Sequence, residues 1–591
     1  MRRFSKVCRR SAALLSLVAF VGSSTLLPSL ADAQPRRPTN GANGGGKKPK
    51  SQPQEIELDA PAAPAAGQPG AAPVDSGPPP VPGQMTPAAA NAKRQFDAEQ
   101  WAPASLNLYK VWKGETNDDE GNKQLAEYHL AIALYRLKLY QASYSIFSEI
   151  SDRPSHLKFN DSLLWLAKLA TDLPEPADIV SRVGKYNDQQ IEKFNNREQH
   201  ALYSQLNYLL GRYKYVNRQY ADSIRLFNKV ARDSAYYVRA QFFLGISSTQ
   251  LRLIQPSVSA FTRVVNAVDE GSEGVEDEAR MRDLAYLSIA RVRYSSSFRT
   301  DAGGNQSIDE GRLNQAILYW NKIDVSSEYW LDGLFEESWA YFMAGDYSHA
   351  LGNIHTIESP YFPNAYYPEA EVLKAVIYFS NCQYDDATVI VSKFQEKYQP
   401  LYNDLNGVLR RFHGDDQEEA FYKFLRQVRD HDPAANLPPR IKTVVENALS
   451  DRQLLRYLQY VQVLDDEAKR FSAQPADFKS SALGNDSKDA LQLARDVAIK
   501  TAGQLARERY QRNLDELNEH LRDSAKILID ITAAQRNQLD QAIAGGQVSQ
   551  QESQRNIVKP DDEHVVWPFN GEYWRDELGF YRQTITSKCG R

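Results

Sequence analysis

Histidine, cysteine and carboxylate side chains are the groups with which this chain could do chemistry, and their spacing decides what is on offer. The nine histidines stand singly. His349 and His355 are six apart, which puts them on different sides of a helix, whereas metal ligands sharing a face stand four apart. Asp430-His431-Asp432 has the composition of an acid–base pair, but it sits ahead of Pro433 and reads as a helix end and cap. Gly41-Ala42-Asn43-Gly44-Gly45-Gly46-Lys47-Lys48 nearly spells a phosphate-binding loop. Lys48 stands where a magnesium-holding hydroxyl is needed, and neither flank reads as the required strand or helix. The acidic run from Asp269 to Glu278 lacks the alternating ladder of a calcium loop and reads as a solvated loop. No G-x-S-x-G, H-E-x-x-H or paired C-x-x-C occurs. The sequence therefore points to no enzyme, no metal and no cofactor. A pair of carboxylates cleaving a cell-wall glycan is the alternative, because 75 acidic residues bring some of them close.

The start of the chain speaks to compartment. Arg2, Arg3, Lys6, Arg9 and Arg10 precede an apolar stretch from Ala12 to Val21, and Ala31-Asp32-Ala33 follows. This is the layout of a secretory signal cleaved after Ala33, covering residues 1–33. Its apolar core is shorter than the roughly 20 residues a spanning helix needs. Cys8 lies ahead of that core, so it is not a lipidated cysteine, and ordinary export into a periplasm is expected. Residues 34–90 are rich in Pro, Ala, Gly and Gln and read as a disordered tether, basic over Arg36, Arg37, Lys47, Lys48 and Lys50. No later segment has transmembrane length without charges, and a net charge of −5 gives no argument for nucleic acid. Only Cys382 and Cys589 lie beyond the signal, and two readings stay open for them: one bridge or two thiols.

Between residues 91 and 400 apolar residues recur at helical spacing, and no run alternates with the period of a strand. Leu210-Gly211, Tyr220, Ser223 and Phe227 recur 34 residues on as Leu244-Gly245, Ile254, Ser257 and Phe261. Trp101, Ala104 and Leu108 repeat the second half of this pattern. So do Tyr140, Ser143 and Phe147, then Leu313, Ala316 and Trp320, and later Tyr384, Ala387 and Val391. Ala340 to Tyr347, with Gly345-Asp346 as its turn and Ala350 behind it, is the closest local match. The pattern resembles the tetratricopeptide repeat, a helix-turn-helix of 34 residues, and about seven units can be placed. The resemblance implies an all-α solenoid in which each unit contacts its neighbours. Glu337 and Lys374 depart from it where the family has apolar residues, and Leu163 to Val183 is an irregular unit. Ser295 to Glu310 is an insertion.

Beyond Pro400 the helices continue without the repeat. Asp415 and Asp416 read as a cap with Glu418 and Glu419 behind them, and Leu454, Leu458, Val461, Ala468 and Phe471 line one face of a further helix. Residues 401–485 are thus helical, and 486–545 form one long helix with a coiled-coil-like seam of Leu514, Leu517, Leu521, Leu528 and Ile531. That seam fits a hairpin within the chain or a dimer. Residues 546–591 form an aromatic tail, W-P-F-x-G-E-Y-W-R-D-E-L-G, which either caps the chain's own helices or docks a partner. The family pattern puts Tyr208, Arg212, Tyr215, Phe242, Ile246, Phe335, Trp339, Phe342, Val372, Val376 and Phe379 on the inner face of the solenoid. The resemblance implies a groove there for a partner segment, with the same side chains as packed core if the superhelix is tight. Trp574 in the tail is the further candidate contact. Export signal, tether and tail are similar to envelope tetratricopeptide proteins of gliding bacteria, in particular the periplasmic repeat component of the adventurous gliding motility machinery. The function expected is a non-catalytic scaffold binding other envelope proteins, with homo-oligomerisation left open.

Overall fold

The computed structural model describes residues 77–272, 274, 277–300, 306–543 and 556–589. The expected signal and most of the expected tether lie outside the described residues, as does the phosphate-loop decoy. The described chain is an all-α solenoid. Its helix pairs are α1 (Pro87–Asp97) with α2 (Trp101–Trp112), α3 (Glu120–Arg136) with α4 (Tyr140–Ser151), and α5 (Ser162–Asp172) with the short α6 (Ile179–Val183). After α7 (Asp188–Glu192) come α8 (His200–Val216) with α9 (Tyr220–Phe227) and α10 (Tyr237–Gln250) with α11 (Ile254–Asp269). The array ends with α12 (Glu278–Ser295) and α13 (Glu310–Trp320), α14 (Trp330–Ala344) and α15 (Tyr347–Ile357), and α16 (Pro368–Ser380) and α17 (Tyr384–Leu409). First helices of neighbouring pairs touch, as α8 does α10 and α14 does α16, which is the stacking a repeat array requires.

Side-chain volume explains why these pairs close. Ala104, Ser143, Ser223, Ser257, Ala316, Ala350 and Ala387 are all fully buried, one on each second helix except the short α6. Gly211 and Gly245 lie on the facing first helices, where a Cβ would come within 2.6 Å of the Phe227 and Phe261 rings. Where serine replaces alanine its hydroxyl is satisfied: Ser143 donates to the Ala131 carbonyl at 2.7 Å and Ser257 to the Gly245 carbonyl at 2.9 Å. The turns are equally regular. Glu99, Lys138, Arg218, Arg252, Gly345 and Cys382 each stand two residues ahead of a second helix, and all have positive φ. The residue after each donates its amide back to the closing helix, as Leu139 does to the Leu134 carbonyl and Asp346 to that of Tyr341. That is the Schellman closure of a left-handed cap, built five times out of six without glycine.

Two departures from the repeat pattern have a physical reason. Glu337 is buried, but Asn353 and Asn321 donate to its carboxylate at 2.9 and 3.0 Å. Lys374 pairs with Glu358 across 2.7 Å. The insertion before α13 contains a small antiparallel hairpin, β1 (Phe298–Thr300) and β2 (Gln306–Ile308), with Phe298 opposite Ile308. Strands of three residues are too short to show as alternation, so the residue pattern alone does not reveal them.

The C-terminal part builds a second body against the array. Helix α17 continues through Pro400 to Leu409, and α18 (Gln417–Arg429) follows. Asp416 is the N-cap residue of α18, but its side chain makes no capping bond, so the expected capping box does not form. After α19 (Lys442–Ala448) come α20 (Arg452–Ser472), the single turn α21 (Ala476–Lys479) and α22 (Ala482–Ile543). At 62 residues α22 is about 93 Å long. It pairs with α20 and lies against α4, α16, α17 and α18. Its seam residues Leu514, Leu517, Leu521 and Ile531 are buried inside this chain, and the flanking Tyr510, Ser524 and Gln535 bond Leu405, Gln395 and Asp385, so this stretch lies along α17. Gly503, the lone glycine within the helical stretch from Lys488 to Ile543, lies where a Cβ would come within 1.8 Å of the Glu418 carbonyl oxygen. Two helices cross there in backbone contact. No helix among the described residues is long and apolar enough to cross a membrane.

Candidate interaction surface

The inner-face set is placed mostly between repeats. Tyr208, Arg212, Tyr215, Phe242, Ile246, Phe335, Trp339, Phe342, Val372 and Val376 are buried, and Phe379 is half-buried. Tyr208 packs on Tyr236 and Phe243, and Tyr215 on Phe243 and Tyr220. Phe242 meets Phe261 inside its own unit, Phe335 meets Tyr367, and Phe379 meets Tyr384. Trp339 and Phe342 pack edge to face on one another. In this conformation these rings fill space between helices, and only Phe379 keeps substantial surface.

The chain's own C-terminal hairpin reaches the same helices. Arg212 pairs with Glu175, and Arg456 of α20 takes the other oxygen of that carboxylate at 2.8 Å. Glu467 of α20 accepts the amides of Gln141 and Ala142 at 2.8 and 3.2 Å, capping the first turn of α4 from another element. Burial raises its carboxyl to about 7 against those bonds. Farther along, Glu369 of α16 is buried with Glu516, Glu519 and Asp523 of α22 around it. Burial first and those like charges second push the Glu369 carboxyl well up, while the Trp339 side chain opposes the shift. Burial raises Glu516 to about 8. These carboxyls lie between helices.

The tail presents the exposed surface. His355 of α15, held neutral by burial with its imidazole lowered to about 4, is the post around which the tail wraps. Tyr573 stacks on it at 4.5 Å, and Phe569 and Tyr581 meet it edge-on at 4.6 and 5.1 Å. Trp567 and Trp574 lie 4.6 Å apart, and the Tyr581 hydroxyl bonds both the amide and the carbonyl of Trp574. Leu578, Tyr581 and Ile585 are buried, so the tail caps the chain's own last repeats. Cys382 and Cys589 are joined in a disulfide at its end. Phe569, Trp574 and Phe580 nevertheless remain 48%, 42% and 73% exposed. Val565, Val566 and Tyr361 are exposed with them, and Asp576 and Glu577 stand in the same stretch. Phe569 and Trp574, held by neighbouring rings and still exposed, are suited to contact, because little rotamer freedom is left to lose on binding.

Other sequence candidates are dispersed as their spacing implied. His349 bonds Asp346 and stacks on Tyr341, away from the His355 cluster. His431 ends α18 with positive φ, and Asp432 caps the turn behind it by accepting the Ala434 amide. Residues 273, 275 and 276 of the acidic run lie outside the described residues. The sequence reading missed His355 as the centre of the tail, and also Gly352 and Asn556 beneath it. A glycine within the helical pattern of α15 was the available signal, since such a residue often marks close backbone approach.

No protein-family model matches the chain, and no curated protein sequence matches it either. Among solved structures, the apo form of RapI matches over 69% of this chain and 96% of its own, at 11% identity and a TM-score of 0.28. A Rap protein complexed with competence and sporulation factor matches over 70% and 97%, at 14% identity and a TM-score of 0.18. A circular tandem repeat protein matches over 78% and 99%, at 14% identity and a TM-score of 0.09. Superpositions at those scores carry no argument, so the repeat assignment stands on the helix-pair packing and turn geometry of this chain itself.

Proposed function

We propose that the protein is a non-catalytic interaction scaffold of the bacterial envelope, and that its partner contact lies on the aromatic tail surface. The observation that carries this reading is the exposed pair Phe569 and Trp574, held by ring contacts with His355 and Trp567 over the last repeats, with exposed Phe580 in the same stretch. Of the inner-face residues, Phe379 is the one whose surface extends the partner-binding role to the solenoid. The rest serve a partner only if the array opens. The layout of residues 1–33 and the Pro-rich stretch behind it support export to the periplasm. The same features and the tail support a place in an envelope assembly such as the adventurous gliding motility machinery. A glycan-cleaving reading draws no support from the raised carboxyls, of which Glu337, Glu369 and Glu467 are buried in the helix packing and Glu516 is half-buried on α22.

In-cell photo-crosslinking tests the scaffold reading. A photoreactive residue at Trp574, Phe580 or Phe379 is expected to trap one discrete envelope protein, while the same residue at exposed Leu493 on α22 traps none. Capture from no site, with cell-wall fragments enriched on the protein instead, would reverse the assignment.

A further inference from the structure

The tail is seated as an extended peptide ligand would be. Over residues 557–589 its one helical turn is the 3₁₀ turn Arg575–Glu577. Its hold on the array is largely through main chain. At its start the Asn556 side-chain Oδ1 accepts the Tyr347 amide of α15 at 2.9 Å, and the contacts that follow are made by tail amides. Gly579 donates to the Thr356 hydroxyl at 3.1 Å, Gln583 to the Ser348 carbonyl at 3.1 Å, and Lys588 to the Asn381 carbonyl at 2.8 Å. Midway, the tail crosses α15 at Gly352, where a Cβ would lie 1.7 Å from the Tyr581 carbonyl oxygen. A mid-helix glycine weakens its own helix relative to alanine, and here it opens a channel for a passing backbone. Leu578, Tyr581 and Ile585 drop into that channel as apolar anchors, and Trp330 closes under Gly579.

One covalent bond holds the far end. Cys382, at the left-handed turn between α16 and α17, is bonded to Cys589 across 207 residues. Everything after the repeat array is thereby enclosed in one loop that starts and finishes at the last repeat. We propose that the tail is a redox-latched strap. With the disulfide intact the strap stays on α15, and once it is reduced the strap lifts and uncovers the face formed by Trp330, Leu334, His355, Thr356 and Tyr378. The step is thiol–disulfide exchange with a dithiol donor. The Cys382–Cys589 sulfur–sulfur bond breaks, both sulfurs leave as thiols, and the donor becomes a disulfide, with two electrons and two protons passing from donor to protein. The device goes beyond the scaffold reading and stands whether or not Trp574 touches a partner.

Hydrogen–deuterium exchange on the full-length protein tests it. Incubation with dithiothreitol is expected to speed exchange at the amides of Gly579, Gln583, Ile585 and Lys588 by tenfold or more, leaving α10 and α11 unchanged. Cys589→Ser should reproduce this without reductant. Gly352→Val, which blocks the channel with the disulfide intact, should free Gly579 and Gln583 alone. Unchanged tail amides in the reduced protein, with Gly352→Val loosening them, would overturn the latch, because packing alone would then hold the strap. Unchanged amides in Gly352→Val would overturn the strap's path itself.

Discussion

At Gly245 one methyl group decides whether two helices fit. An alanine Cβ there would stand 2.6 Å from the Phe261 ring, and that ring is fully buried. Gly245→Ala is therefore expected to destabilise the protein by about 1–3 kcal/mol, the usual cost of overpacking a core. Gly407, in α17, has nothing within 4 Å of the same ideal Cβ. Gly407→Ala should stabilise by about 0.5–1 kcal/mol through helix propensity alone. Urea unfolding midpoints of the two variants, moving in opposite directions from the wild type, check both. The turns invite a second test. Arg252 closes α10 in the left-handed region at φ 57°, a conformation that costs an L-residue roughly 1–2 kcal/mol. Glycine removes that strain at an unfolded-state cost of roughly 0.5–1 kcal/mol. Arg252→Gly should accordingly raise the urea midpoint slightly, whereas Arg252→Val should lower it.

The helical elements were legible because their signals are local. Ser223 and Phe227, or Ala387 and Val391, lie four residues apart, and the structure buries both members of each pair at the helix–helix contact. The turns were legible only at Gly345, because Arg218, Arg252 and Cys382 take the same backbone conformation with no residue type to announce it. What the sequence could not show is which elements meet across hundreds of residues. Glu467 over the amides of α4, or Tyr581 over Gly352, has no local signature. The pairing of α16 with α22 is of this kind, and it makes a pH prediction. Glu369 faces Glu516, Glu519, Asp523 and Trp339, while Glu516 has Arg509, Arg512, Asp515 and Glu519 around it. Both carboxyls are raised in the folded state, so the folded protein holds protons that the unfolded chain releases above about pH 4.5. Their contribution is full below that pH and is lost as pH rises toward 8, where Glu516 ionises in place. Half-buried His129 and His355 and buried His520, each lowered to about 4 by desolvation, act with the opposite sign between pH 6.5 and 4. A difference measurement separates the two. The urea midpoint of Glu516→Gln minus that of wild type should grow steadily from pH 5 to pH 8.5, and a flat difference would show that Glu516 is solvated.

At the scale of the whole molecule the decisive object is α22, because it touches both ends of the array. Its first turns reach α2, where the Tyr109 hydroxyl donates to Asp486 at 2.6 Å. Its last turns reach α17, where Gln535 donates to Asp385 at 3.2 Å. A repeat array held only by nearest-neighbour contacts can bend along its length, since nothing fixes the separation of distant units. A rigid helix of about 93 Å fastened at both ends fixes that separation. The fastening is apolar along the middle, through Leu514, Leu517 and Tyr510, with the Tyr510 hydroxyl donating to the Leu405 carbonyl at 2.9 Å. Breaking the middle should therefore release the ends without melting the repeats, whose packing is local. Leu517→Asp places an unpaired carboxylate at a fully buried position and removes a leucine worth roughly 2–5 kcal/mol there, enough to undock the helix. Leu493→Asp puts the same chemistry on the exposed face of the same helix. Small-angle scattering is expected to show a larger radius of gyration for Leu517→Asp and none for Leu493→Asp, with circular dichroism of both close to wild type. An unchanged radius in Leu517→Asp would mean that the repeats set their own curvature and that α22 merely follows it. A larger radius would make the helix a strut, and every partner contact on the last repeats would then be held at a set distance from the first.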